Sequence, residues 1–191
     1  SLTQGNDPVS ATVERPRNGS APTLRTARLL LTAHATGDFE ALAGMWADPT
    51  VTALIGNRSR PREEVWLRLL RSAGQWALFG YGSWVVRDAA TGAFVGEVGL
   101  LEAQRAIDPP LAVPEAGWAL SPAFHGRGLA HEALVAALAW ADAAGIARTC
   151  CIIDPANALS IALAERCGYT RTGEATYHEA PTLIFERPAR T

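Results

Sequence analysis

Ser121-Pro122-Ala123-Phe124-His125-Gly126-Arg127-Gly128-Leu129-Ala130 is the stretch on which the reading of this chain turns. It follows Glu115-Ala116-Gly117-Trp118-Ala119-Leu120, short and apolar enough for a strand. It leads into a segment with Leu129, Ala133, Ala136 and Trp140 on one helical face. Strand, glycine-rich turn and helix in that order make an anion site. The first N–H groups of a helix have no partner within it, the helix dipole favours negative charge there, and glycine lets a phosphate approach the backbone. Taken alone, the pattern reads either as a site for some phosphorylated ligand or as a plain strand–helix turn. Two better-known phosphate loops are excluded. A dinucleotide fingerprint needs Gly or Ala three residues after Gly128, where His131 stands. A Walker A loop needs lysine, and all 17 cationic side chains here are arginine.

Downstream of the loop, Gly145 closes the helix near residue 144, and residues 149–153 form a compact buried strand. Asp154-Pro155-Ala156-Asn157 then turns into a helix with Leu159, Ala162 and Leu163 inward, closed by Gly168. Residues 169–177 and 182–186 read as a last hairpin around Glu179-Ala180-Pro181. Upstream, residues 83–87 and 93–101 form a hairpin, joined to residue 115 by a long loop holding Pro109, Pro110 and Pro114. Pro61 opens a helix with Val65, Leu69, Ala73 and Trp76 on one face, which Gly80 ends. Thr36 or Asp38 caps a shorter helix carrying Phe39, Leu42, Met45 and Trp46, and Leu29-Leu30-Leu31-Thr32 is a buried strand. The expected architecture is mixed α/β: one sheet of about seven strands, mostly antiparallel, with one parallel crossover at 115–153 and about four helices. Residues 1–23 read as an N-terminal arm, 24–187 as a single domain and 188–191 as a tail.

Composition narrows the function. With 191 residues, 48% of them hydrophobic, the chain can bury a core without staples. A net charge of -2 argues against a nucleic-acid partner, which needs a basic face. Residues 1–28 lack the apolar centre of a signal peptide, and the longest uncharged apolar run, 133–141, falls far short of the ~20 residues that span a bilayer. Cys150, Cys151 and Cys167 form no CxxC pair, so no metal is expected and the thiols are expected to be reduced. A cytoplasmic protein, monomer or homodimer, fits these features. No Gly-x-Ser-x-Gly elbow supports a serine hydrolase.

His125-Gly126-Arg127-Gly128-Leu129-Ala130 resembles the Gln/Arg-x-x-Gly-x-Gly/Ala loop of GNAT-type N-acetyltransferases. Asp154-Pro155-Ala156-Asn157-Ala158-Leu159-Ser160 and Cys167-Gly168-Tyr169 are similar to that family's Asn-x-x-Ser helix and Gly-Phe/Tyr strand. Leu24-Arg25-Thr26-Ala27-Arg28-Leu29-Leu30-Leu31 resembles the start of its RimJ/RimL-like branch, and the likeness runs over residues 24–187. One departure is His125, which stands where the family has Gln or Arg.

The resemblance implies acetyl-CoA as cosubstrate, with no metal. Its pantetheine arm would lie along Trp118, Ala119 and Leu120 like an added strand. Its pyrophosphate would sit on the loop His125, Gly126, Arg127, Gly128, Leu129 and Ala130. Asn157 would hold the pantetheine amide while also reading as an N-cap, and Ser160 would protonate the departing thiolate. Glu115 is the first candidate for the base that deprotonates the amine, with Glu97 and His178 behind it; each also reads as an ordinary surface group. Backbone N–H groups of residues 117–119 would meet the oxyanion. The acceptor is an amine, either a protein N-terminus or a small molecule. Four of the six tryptophans lie from Trp46 to Trp84, with Tyr81 among them, and read as core or as the wall of an acceptor pocket. Arg58, Arg60, Arg62, Arg68 and Arg71 read mainly as a solvated helix face, or as an attraction for an acidic group. The alternative function is an acyl-CoA-binding module that does not turn over.

Overall fold

The structure, a computed structural model, describes residues 19–191. Most of the expected N-terminal arm therefore lies outside the described residues. Residues 19–23 run against the domain, where Trp84 Nε1 donates to the Pro22 carbonyl at 2.7 Å.

The elements follow in order: β1 (Leu24–Arg25), β2 (Leu29–Thr32), α1 (Phe39–Ala47), α2 (Pro49–Thr52), α3 (Arg62–Phe79), β3 (Ser83–Asp88), β4 (Phe94–Leu101), β5 (Ile107–Asp108), β6 (Glu115–Leu120), α4 (Leu129–Ala143), β7 (Arg148–Ile153), α5 (Ala158–Arg166), β8 (Thr170–Tyr177) and β9 (Ala180–Pro188). The strands form one mixed sheet ordered β1-β2-β3-β4-β6-β7-β9-β8-β5, and β6–β7 is its parallel pair. The fold class is as expected, with nine strands among the described residues in place of about seven. The additional strands are β1 and β5, two residues each, too short to show a period-2 pattern. Where the sequence reads as an unbroken loop between β4 and β6, β5 pairs with the outer edge of β8, Ile107 opposite Tyr177.

Helix ends follow their local chemistry. Pro61 stands at the N-cap of α3, Glu63 and Glu64 fill its first turn, and Gly80 ends it in the left-handed region at φ 70°. The buried face of α3 is Val65, Leu69, Ser72, Gln75 and Trp76; Ser72 faces inward where Ala73 was expected, and Ala73 is exposed. In α5, Asn157 caps the helix by accepting from Ser160 N at 3.2 Å. That cap sets the phase so that Ala164 is buried, while Leu159, expected inward, is 86% exposed and Ala162 faces solvent. The last hairpin turns at His178–Glu179, both at positive φ, two residues earlier than its proline suggests.

Two cores flank the sheet. The larger packs α4 and the end of α3 against the central strands. At its centre Trp76, Trp84 and Trp140 meet edge to face, with ring centroids 5.0, 5.2 and 5.4 Å apart. The smaller core holds α1, Val51, Val65, Leu69 and Ala119 of β6. Side chains alternate across a strand, so Ala119, Gly117 and Glu115 share the α1–α3 face, as do their ladder partners Glu97, Gly99 and Leu101 on β4. The three cysteines are free and buried; burial pushes the Cys150 thiol up to about 12. No helix among the described residues is long and apolar enough to cross a membrane.

Candidate active site

The site begins where β6 and β7 part. β6 is paired with β4 along its whole length, Leu101 opposite Glu115 through Gly96 opposite Leu120. On its other side it meets β7 at a single register position, Glu115 opposite Cys150. Cys150 N also donates to the Pro114 carbonyl at 2.9 Å, and beyond this point the two strands diverge. Residues 116–120 thus present one backbone edge that no strand among the described residues covers.

A cleft of about 480 Å³ opens into this split. Its walls include Glu97, Glu115, Trp118, Ala119, Asn157, Ser160 and His178, so the fold brings together the expected catalytic and pantetheine-side residues. Leu120 closes β6 at the far end of the split, with its side chain in the larger core. From there the chain enters the glycine loop. Gly126 and Gly128 both take the left-handed region, at φ 72° and 74°, which glycine occupies without steric cost. Gly128 is the N-cap of α4, and Glu132 N is the first to bond back to it, at 3.2 Å. The N–H groups of Leu129 and Ala130 are therefore left at the open helix terminus, while the Leu129 side chain is buried in the core.

Side chains fix the loop from behind. His125 Nε2 donates to the Leu120 carbonyl at 2.7 Å, so its ring is committed to the end of β6. Arg28 Nη1 donates to the Arg127 carbonyl at 2.9 Å and pairs through Nε with Glu132. The Arg127 guanidinium lies over Phe124, 5.6 Å from the ring centre. Asn157 spends its side-chain oxygen on the α5 cap, which leaves its amide N–H groups as the donors it can offer the cleft.

The two carboxylates differ in their surroundings. Glu115 is buried and pairs with Arg105 Nε at 2.7 Å; Arg105 also donates to the Tyr177 hydroxyl at 3.0 Å. Burial opposes the charge of Arg105, and these two partners outweigh it, raising its pKa. Glu97 accepts from His34 Nε2 at 2.6 Å and from Trp46 Nε1 at 2.8 Å, with 14% of its side chain still exposed. Burial would push the Glu97 carboxyl up, but His34, the nearby Arg68 charge and Trp46 together hold it below the usual carboxylate range. His178 lies exposed at the cleft rim, 4.0 Å from the Tyr177 ring centre.

Sequence reasoning missed His34, Arg105 and Tyr177, which reach the site from β2's end, the β4–β6 connection and β8. Of the tryptophans weighed as a pocket wall, Trp46 lines the cleft, Trp76 and Trp84 are core, and Trp66 packs edge-on to Phe39 outside it. Arg62 pairs with Glu40 on the surface and Arg58 with Glu64, as a solvated face would have them; Arg58, Arg60, Arg68 and Arg71 also border the cleft, and of these Arg60 and Arg68 are half-buried while Arg58 and Arg71 are exposed.

An acetyltransferase (GNAT) domain model matches residues 28–170. The chain belongs to the GNAT acetyltransferase family. This GNAT domain is similar to a protein assigned to the GnaT-family acetyltransferases from Bordetella pertussis, 32% identical, with a TM-score of 0.77 over 87% of this chain and 99% of the other. The fold is shared with RimL, a ribosomal L7/L12 alpha-N-protein acetyltransferase in complex with coenzyme A, at 17% identity and a TM-score of 0.69, covering 87% of this chain and 98% of that one. The uncharacterized protein YkkB of Bacillus subtilis is 29% identical over 110 residues; that match spans 57% of this GNAT chain and 62% of the curated relative.

Proposed function

We propose that this chain transfers the acetyl group of acetyl-CoA to a primary amine, on a small molecule or a protein N-terminus, by direct attack on the thioester. The observation that carries the reading is the uncovered edge of β6, which runs into the left-handed glycine loop at the N-terminus of α4. An extended pantetheine arm can add to that edge by main-chain hydrogen bonding, and the pyrophosphate then falls on the N–H groups of Gly126, Arg127, Gly128 and Ala130. Membership of the GNAT family and the coenzyme A bound by RimL support the same donor.

In this mechanism, proton removal is assigned to Glu97. Glu115 is tied to Arg105, whereas Glu97 is the more open of the two. With its carboxyl held low, Glu97 relays the ammonium proton to solvent rather than storing it. The amine lone pair then forms the C–N bond at the carbonyl carbon, and the carbonyl electrons move to oxygen, met by the Trp118 N–H on the uncovered edge of β6. The attacking nitrogen gives its second proton to water, collapse breaks the C–S bond, and the Ser160 hydroxyl gives its proton to the leaving thiolate and recovers one from water. Asn157 donates to the pantetheine amide carbonyl and keeps the thioester against β6.

The test is a melting-temperature titration with acetyl-CoA, with NAD and ATP as controls. A ligand at 100-fold its dissociation constant stabilises by ~2.7 kcal/mol. A shift with acetyl-CoA alone, followed by thiol release with amines, is the expected result; no shift up to millimolar acetyl-CoA would sink the proposal. A shift without thiol release for any amine would instead favour a non-catalytic acyl-CoA-binding module of the same fold.

A further inference from the structure

Five arginines line the cleft: Arg58, Arg60, Arg68, Arg71 and Arg105. Three are accounted for locally. Arg58 donates to both Glu64 oxygens, at 2.7 and 2.8 Å. Arg60 donates to the Ile55 carbonyl at 2.8 Å and lies 3.7 Å from Glu64. Arg105 is held by Glu115 and Tyr177. The remaining two, one turn apart on α3, have no such partners. Arg68 stacks on the Trp46 ring, 4.2 Å from its centre, and its Nε is buried without a hydrogen bond. Neither Arg68 nor Arg71 forms a hydrogen bond or ion pair among the described residues.

A buried guanidinium donor with no acceptor is costly, and two cationic groups side by side add to the cost. Burial acts first against the charge of both; Glu97 favours the Arg68 charge and Arg105 opposes it, while Arg71, which is exposed at the cleft, is opposed by Arg68 and Arg105. An anion placed between them would satisfy the donors and offset the repulsion, and guanidinium geometry matches a carboxylate well. The pair also has a defined position. Trp46, on which Arg68 lies, donates to Glu97, so the cationic pair borders the carboxylate assigned to the amine. The glycine loop that would take the coenzyme pyrophosphate follows Leu120, just past the ladder position where Glu97 faces Ala119, and opens on α4, whereas the arginine pair stands on α3.

We infer that the acceptor is an amine that also carries a carboxylate, with the ammonium at Glu97 and the carboxylate on Arg68 and Arg71. This rests on the acetyltransferase reading and narrows it from amines in general to amino acids and similar zwitterions. A protein N-terminus without a nearby acidic group would be a poor acceptor.

The experiment uses the wild-type chain with Arg68→Met and Arg71→Met. Acetyl-CoA affinity is measured first by melting-temperature shift. Thiol release is then followed for L-amino acids, β-alanine and 4-aminobutyrate, each beside its carboxamide, and melting shifts are recorded for the same compounds alone. The expected result is a preference for carboxylates over carboxamides of about tenfold to hundredfold in kcat/KM, lost in both variants while acetyl-CoA affinity holds. Carboxamides used as well as carboxylates by a protein that binds acetyl-CoA would overturn the inference and leave the acetyltransferase reading intact. Loss of acetyl-CoA affinity in the variants would overturn it too, by assigning the arginines to the donor. If acetyl-CoA does not bind at all, the acetyltransferase reading fails. The anion site then stands or falls on whether the amino acids stabilise wild type more than their carboxamides do, and more than they stabilise the variants.

Discussion

At the scale of single residues, Glu97 shows how a site can be present in a sequence without being readable there. Its position on β4 is legible from the hairpin pattern. Its character is not, because His34 and Trp46 reach it from 63 and 51 residues away. By contrast, the cap made by Asn157 and the left-handed glycines of the loop depend on neighbours within three residues, and local spacing reveals them. Replacing Glu97 by Gln is expected to leave acetyl-CoA affinity unchanged and to lower kcat/KM by about 10² to 10⁴, the usual worth of a positioned base. A pH effect follows as well. The carboxyl is held lower in the folded chain than the ~4.3 of an unfolded one. Its ionised form therefore stabilises the fold above that value, and the contribution disappears as pH falls through the folded pKa. Urea unfolding of wild type and Glu97→Gln should show a stability gap at pH 7 that narrows steadily below pH ~4.

At the scale of elements, α3, α4 and the β3–β4 hairpin are legible because each carries its own periodicity and its own stop. β5 is not, since two residues have no period and their pairing is decided by β8, in sequence nearly 70 residues later. The same holds for the phase of α5, which the cap sets and composition does not. The β4–β6 ladder makes a sharper demand. A Cβ on Gly96 would lie 2.1 Å from the Ala119 carbonyl oxygen and 2.8 Å from Leu120 Cα, both backbone atoms of β6. Gly96→Ala must therefore displace the strand whose other edge is proposed to bind pantetheine. Chemical denaturation should show a loss of about 1–3 kcal/mol, typical of overpacking, together with weaker acetyl-CoA binding.

At the scale of the molecule, the parts are joined by a few long-range ties. Arg187 of β9 donates to both oxygens of Asp142 on α4, at 2.8 and 2.7 Å, and through Nε to the Cys167 carbonyl at 3.0 Å, so one buried side chain links strand, helix and the end of α5. Removing one partner of such a pair leaves the other charge buried alone. Arg187→Met is expected to cost about 3–5 kcal/mol, and Arg187→Met with Asp142→Leu considerably less, as a double-mutant cycle in urea would measure. The sheet class, the succession of the main strands along the chain and the one parallel crossover were legible; the split between β6 and β7 was not, because the point where two strands part depends on how both pack and on neither sequence alone. The small strand β5 carries a last consequence, in time rather than in space. Its partner strand β8 follows about 70 residues later, so during synthesis Ile107 and Asp108 cannot take up their strand pairing until β8 has been made. Arg105 and its contact with Tyr177 are assembled in the same late event. A ribosome-bound chain ending before residue 177 would hold α1, α3 and the β3–β4 hairpin yet lack β5 and the Arg105–Tyr177 contact, so this wall of the cleft closes only once β8 has been made.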